Sequence, residues 1–235
     1  MENGVSVRVN FGRPMPLFPL ATVAVLPQQV VPLHIFEPRY RQMIDHTLDG
    51  PGQIAMAVYD PRARTAGSSA PAKIRRAVCV TQISQHEKLS GGRYNVMVQG
   101  ICRAVITKET PADEQTLYRS AILEPIGLDE PDSEELSGIR ETIENTLRRP
   151  ALSKLIGVRP VLDFFNDDRI PTPALLELVT FSMVHDAELR YRLLAEGDIE
   201  ARSQILLSEL GALAKLLTLA DRQAREPWPK GCSWN

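Results

Sequence analysis

The chain has 235 residues, 43% of them hydrophobic and 24% charged, which is the make-up of a folded protein long enough for two small cores. A formal net charge of −2 gives no electrostatic case for binding nucleic acid. Three cysteines with no Cys-x-x-Cys spacing and four scattered histidines exclude a zinc knuckle or dithiol redox motif, and so odd and sparse a set of thiols suits a cytoplasmic protein.

The charge is unevenly spread. Residues 1–125 carry 14 basic and 10 acidic side chains, and residues 126–235 carry 13 and 19. The opening MENGVSVRVNFG lacks the basic-then-apolar order of a signal peptide. No apolar run approaches about 18 residues, so no membrane span is expected.

The first half reads as strands. VAVL (23–26) and VVPLHIF (30–36) are β-branched, and Pro27 and Pro32 confine them to edges or bends. PLHIFEPRYRQMI (32–44) then packs His34, Glu37, Arg39 and Arg41 into one short segment. Pro38 suits the first turn of a helix, whose apolar side would hold Tyr40, Met43, Ile44 and Leu48. Glu37 at its start favours the helix dipole and can accept unpaired N–H groups. Arg39 and Arg41 fall on different faces, and His34 alternates with Leu33 and Ile35 as a half-buried, hydrogen-bonding residue. The segment therefore reads as a fold device and not as a catalytic cluster.

QIAMAVY (53–59) is the next strand. Residues 60–76 follow as a long polar hairpin loop, in which Arg62, Arg64, Lys73, Arg75 and Arg76 outnumber Asp60. AVCVTQI (77–83), RYNVMVQG (93–100), CRAVIT (102–107) and YRSAILEPI (118–126) complete the set, with a turn at SGG (90–92). Tyr94, Val96 and Val98 alternate against Asn95, Met97 and Gln99. Strands this short and this closely spaced predict a small barrel or sandwich.

After about residue 130 the apolar period changes from two to 3.6. Asp132 and Glu135 have capping-box spacing, and Leu136, Ile139, Ile143 and Leu147 line one helix face. Thr172 is the expected cap of the next helix, with Pro173 at its first position. Asp186 starts a shorter helix that ends near Gly197. The last helix carries Leu206, Leu210, Leu213 and Leu217 as a stripe for the chain's own core. The tail EPWPKGCSWN holds both tryptophans, and Trp228 is expected to dock in an apolar groove of its own domain or of a second copy, which would make a homodimer. The expected organisation is residues 1–128, a helical part at 129–226 and a tail at 227–235.

Catalytic motifs are missing. There is no Gly-Lys pair for a phosphate loop and no glycine-rich strand-to-helix turn for a dinucleotide. There is also no strand-to-helix nucleophile elbow and no His-Glu-x-x-His. The acidic clusters DEPDSEE and NDD lack apolar surroundings to separate their pKa values. No cofactor, metal or enzymatic activity is expected.

MPLFPLATVAVLPQQVVPLHIFEPRYRQMI (15–44) closely resembles the opening signature of the N-terminal, substrate-binding domain of Lon proteases, especially its stand-alone bacterial members and the matching region of cereblon. CVTQI followed by GGRYNVMVQGICRAVI resembles the family's paired strands ending in a Gly-x-x-Arg turn, here Gly100 and Arg103. YRSAILEPI and LRYRLLAEGDIEARSQILLSEL resemble later blocks, so the likeness spans 15 to about 210. Ala77 and Val78 stand where the family usually has a glycine.

The resemblance implies an α+β fold, a PUA-like β-barrel followed by a helical bundle. It also implies recognition of unfolded or specific proteins and peptides, as an adaptor beside a protease or chaperone. The ATPase and peptidase domains that follow in full Lon proteases are not expected in these 235 residues. The residues offered for a partner are Glu37, Arg39, Arg41, Arg62, Arg64 and Trp228. RNA binding is the alternative, because other PUA-like barrels bind RNA, but the charge and the 6% aromatic content oppose it.

Overall fold

The computed structural model describes residues 7–61, 72–128 and 133–225. The chain forms two compact units. One is Met1–Glu130 with His185–Ile199, and the other is Pro131–Val184 with Glu200–Asn235.

Six strands build the first unit: β1 (Met15–Leu20), β2 (Val30–Ile35), β3 (Gln53–Val58), β4 (Ala77–Lys88), β5 (Tyr94–Thr110) and β6 (Ser120–Ile126). Helix α1 (Pro38–Leu48) joins β2 to β3. The hydrogen-bonded order is β2-β5-β4-β3-β1-β6, and β6 pairs back onto β5. Five strands thus close on themselves, with β2 added outside the ring. β1 and β3 run parallel, which requires the long crossover through β2 and α1.

The ring separates two cores. One draws on all five ring strands: Met15, Leu17, Ala55, Ala57, Val78, Val80, Ala104, Ala121 and Leu123. Its four alanines keep the enclosed space narrow enough to fill. The other core lies on the opposite face, where Met56, Cys79 and Val98 meet Tyr40, Met43 and Ile44 of α1. Tyr191 and Leu194 of α5 (Ala187–Ala195) close it. Ala77 donates its N–H to the Tyr191 hydroxyl at 2.8 Å. Arg75 lies 3.3 Å over the Tyr191 ring and forms a two-pronged ion pair with Glu188.

Several local readings change. RYNVMVQG and CRAVIT are one 17-residue strand, with Gly100 and Arg103 inside it and not in a turn. Thr81 faces Gly100 while Val80 faces Cys102, so Ile101 is an extra residue, and the bulge swaps which face the even positions occupy. Arg103 is buried and donates to the Leu193 carbonyl at 3.3 Å. VAVL is irregular and not a strand, with Val23 exposed and Ala24, Val25 and Leu26 buried. It docks on Gly100, where a Cβ would lie 2.1 Å from the Leu26 oxygen. β1, with Pro16 and Pro19, is a strand that the prolines had hidden. The hairpin after β3 is present at its stem, where Asp60 N–H donates to the Lys73 carbonyl at 2.8 Å.

The second unit contains α2 (Ser133–Leu147), α3 (Val158–Phe165), α4 (Thr172–Met183) and most of α6 (Ile199–Arg225). The α2 stripe is as periodicity requires, with Leu136 half-buried and Ile139, Ile143 and Leu147 buried. Arg140 pins the loop after α3 by donating to the carbonyls of Phe165 and Ile170, each at 2.8 Å. α4 begins one residue earlier than expected. Pro171 is its cap, and the Thr172 side chain makes no capping bond. Asp186 does cap α5, accepting from Leu189 N–H at 2.7 Å, whereas the expected cap Asp132 lies outside the described residues. By length and composition alone α6 passes the test for a membrane span, a test that the core helix of a soluble protein passes as well. Its buried stripe includes Arg202, whose Nε lies 3.8 Å from Glu177 Oε1 of α4, and both side chains are only 6% exposed.

Candidate functional site

The corner between β2 and α1 carries the charges singled out in the sequence. Ile35 turns into the core and Phe36 turns out, 61% exposed. The Glu37 carbonyl accepts N–H from Tyr40 at 3.0 Å and Arg41 at 2.9 Å. Contrary to the sequence expectation, its carboxylate does not cap the helix but pairs with Arg39 at 2.7 Å. Glutamate is one methylene longer than the residues that cap well, and a guanidinium attracts it more strongly than a neutral N–H. Arg39 lies 4.5 Å over the Tyr40 ring, and burial, with a hydrogen bond to Tyr59, pushes the Tyr40 phenol up. Arg41 turns the other way, its guanidinium occupying the space a Cβ on Gly92 would need. Arg62, Arg64 and Trp228 lie outside the described residues.

The outward face of β2, β5 and β4 forms a groove of about 390 Å³. His34 is exposed rather than half-buried, and its Nδ1 lies 2.8 Å from Asn95 Oδ1. Asn95 Nδ2 donates to Glu87 at 3.4 Å, and the Phe36 ring stacks against His34 at 6.2 Å. Val30, Pro32 and Met97 add apolar surface, Val30 being 50% exposed. Among the described residues β2 pairs with β5 alone, and Pro32 contributes no N–H to the strand. Sequence reasoning missed the exposed Phe36. The signal was its parity, since Val30, Pro32, His34 and Phe36 alternate with the inward Val31, Leu33 and Ile35.

Two further pockets open on this unit. One of about 460 Å³ lies beside residues 10–16 and the end of α1. The other, about 320 Å³, lies between Tyr40, Tyr59 and Leu117, and its Arg39 and Arg119 are already paired with Glu37 and Glu109. Leu117 is held by Gln42, which accepts its N–H and donates to the Gln115 carbonyl, each at 2.8 Å. Among the described residues no group of three or more His, Cys, Asp or Glu side chains is placed to hold a metal ion. Burial pushes the Cys102 thiol up to about 11, which disfavours the thiolate a nucleophile needs.

The curated "Lon protease" of Trichlorobacter lovleyi is 27% identical over 203 residues, covering 83% of this chain and 24% of that protein. The chain thus spans about a quarter of that relative's length. The solved "N terminal domain of Mycobacterium avium complex Lon protease" superposes with a TM-score of 0.61 at 18% identity, covering 85% of this chain and 98% of that one. The "Lon N-terminal domain protein from Xanthomonas campestris" gives 0.56, also at 18% identity, over 83% and 98%. Residues 14–211 match the model of the ATP-dependent protease La (LON) substrate-binding domain, and the chain belongs to that family.

Proposed function

We propose that the chain recognises unfolded or specific proteins and performs no chemistry itself, serving as an adaptor in protein quality control. The closed ladder is read as a PUA-like barrel, a rigid frame that presents the β2–β5–β4 face and the corner with Glu37 and Arg39. The supporting observation is Phe36. A large aromatic left 61% exposed beside a groove, with Val30 and Pro32 on the same strand face, is apolar surface that a folded chain does not use for its own core. Aromatic side chains of this kind anchor interfaces, and a rim of paired charges surrounds them without adding much affinity. Arg41, packed against Gly92, is assigned to the fold.

The test is binding of a reduced, carboxymethylated, permanently unfolded protein, followed by anisotropy. The wild-type chain binds it, and Phe36→Ser and Val30→Ser weaken binding several-fold with unchanged melting temperatures. Undiminished binding by both variants removes this face from the reading, and absence of binding by the wild type removes the reading itself.

A further inference from the structure

Strands β2, β5 and β4 bring one polar row together on the groove face. Their register sets His34 opposite Asn95, and Asn95 opposite Glu87. Side chains opposite one another share a face, so the row crosses two inter-strand spacings, about 9–10 Å. One step along the strands, Pro32, Met97 and Gln85 form the next row in the same register. Beyond that, Val30 stands opposite Gln99.

The hydrogen bonds of the polar row run one way. Asn95 Nδ2 donates to Glu87 at 3.4 Å, which turns Asn95 Oδ1 to accept from His34 Nδ1–H at 2.8 Å. The neutral His34 ring then presents Nε2 as a lone pair, and Glu87 presents its carboxylate, so both ends of the row accept hydrogen bonds. Glu87 carries the one full charge among the described residues that line the groove, and it makes no ion pair among the described residues. Its neighbour Lys88 is engaged elsewhere, pairing with Asp45 of α1 at 3.0 Å and lying 5.0 Å over the ring of the buried Tyr94. Exposed carboxylates often go unpaired for solubility alone. Glu87 differs in ending a row whose other end is capped by the uncovered Phe36 ring.

Resting on the reading under Proposed function, we infer that this face selects unfolded segments in which a basic residue stands two positions from an apolar one. In an extended segment laid along the strands, side chains two apart share a face and are about 6.4–6.8 Å apart. The two rows have the same spacing. The apolar side chain rests on Pro32 and Met97, and the guanidinium or ammonium of the other meets Glu87. An acidic residue in that place is repelled by Glu87, which makes the carboxylate a specificity device as much as an attractive one.

The probes are rhodamine-labelled, C-terminally amidated Gly-Ser-Leu-Ser-Leu-Ser-Arg-Ser-Gly, the same peptide with Glu in place of Arg, and the isomer Gly-Ser-Leu-Ser-Leu-Arg-Ser-Ser-Gly. Each is titrated into the full chain by anisotropy at about 50 mM salt, where charge pairs are little screened. The first peptide binds about fivefold more tightly than its Glu counterpart. The isomer, whose Arg points to the opposite side, loses that advantage. Glu87→Gln brings the ratio of Arg to Glu peptide close to one, and Glu87→Lys reverses it. Glu87 is exposed, so both variants keep the wild-type melting temperature. Equal binding of the Arg and Glu peptides, an isomer as tight as the first peptide, or a preference that survives Glu87→Gln overturns the inference. Charge-blind or absent peptide binding, with the carboxymethylated unfolded protein still bound, overturns it and leaves the recognition reading standing. Absence of binding by the unfolded protein as well removes both.

Discussion

Gly100→Ala should be among the most damaging single changes in this chain. An added Cβ would lie 2.1 Å from the Leu26 oxygen, 2.9 Å from its carbon and 3.0 Å from the Pro27 Cα. These are backbone atoms and cannot swing aside, so the 24–29 segment must lift. Two bonds go with it, Gln28 N–H to the Gly100 carbonyl at 2.9 Å and Gly100 N–H to the Gln29 carbonyl at 2.8 Å, worth about 1 kcal/mol each. Val25 and Leu26 are each 1% exposed. Full burial of such side chains contributes about 1.5–3 kcal/mol apiece, and losing half of it brings the total to about 3.5–5 kcal/mol. That sits in the extreme tail of point mutations. Equilibrium urea unfolding reads it as a fall in midpoint of more than about 1 M at unchanged slope. Gly138→Ala is the control. Its Cβ meets nothing within 4 Å in the helix α2, so it should stabilise by about 1 kcal/mol. A Gly100→Ala midpoint equal to wild type would refute the docking argument.

Glu37→Ala should cost less than about 1 kcal/mol, because its exposed pair with Arg39 replaces a cap, and a thermal melt checks it. The Asp45 carboxyl is held below its ordinary range, chiefly by the Tyr94 hydroxyl and then by Lys88. A depressed carboxylate contributes stability above its unfolded pKa of about 4 and loses it as pH falls through the folded value. Tyr94→Phe should therefore lower stability at pH 7 and flatten its decline below pH 4, as read by unfolding across pH 7 to 2. Arg202→Leu alone should cost about 3–5 kcal/mol by removing the buried cation that lies 3.8 Å from Glu177 Oε1. The double variant with Glu177→Leu should recover most of that loss in urea unfolding.

The helical half was legible in the sequence because one period governs each helix. Ile139, Ile143 and Leu147 are buried for the reason their spacing indicates. In the strand half the alternation of Tyr94, Val96 and Val98 held only as far as Ile101, where the bulge reversed it and made one strand read as two. VAVL was misread because a β-branched apolar run looks the same whether it pairs in a sheet or is buried beneath one. β1 was missed because proline counts against a strand before its partners are known. The corner charges were legible as fold elements, but not the choice of Glu37 between a helix N–H and a guanidinium.

The path of the chain between its two units has a consequence for how the protein is made. The apolar face closed by Tyr191 and Leu194 belongs to a unit whose strands end before residue 130. The ribosome reaches Ile199, the last residue of that unit, 69 residues after Glu130, and at about 5–20 residues per second that takes about 3–14 s. During that interval the face is covered by α1 but not yet by Tyr191 and Leu194, in a cell full of chaperones and proteases. A stop codon anywhere between the two segments would leave that face without Tyr191 and Leu194. Neither unit can be moved into another protein by joining a single continuous stretch of its gene.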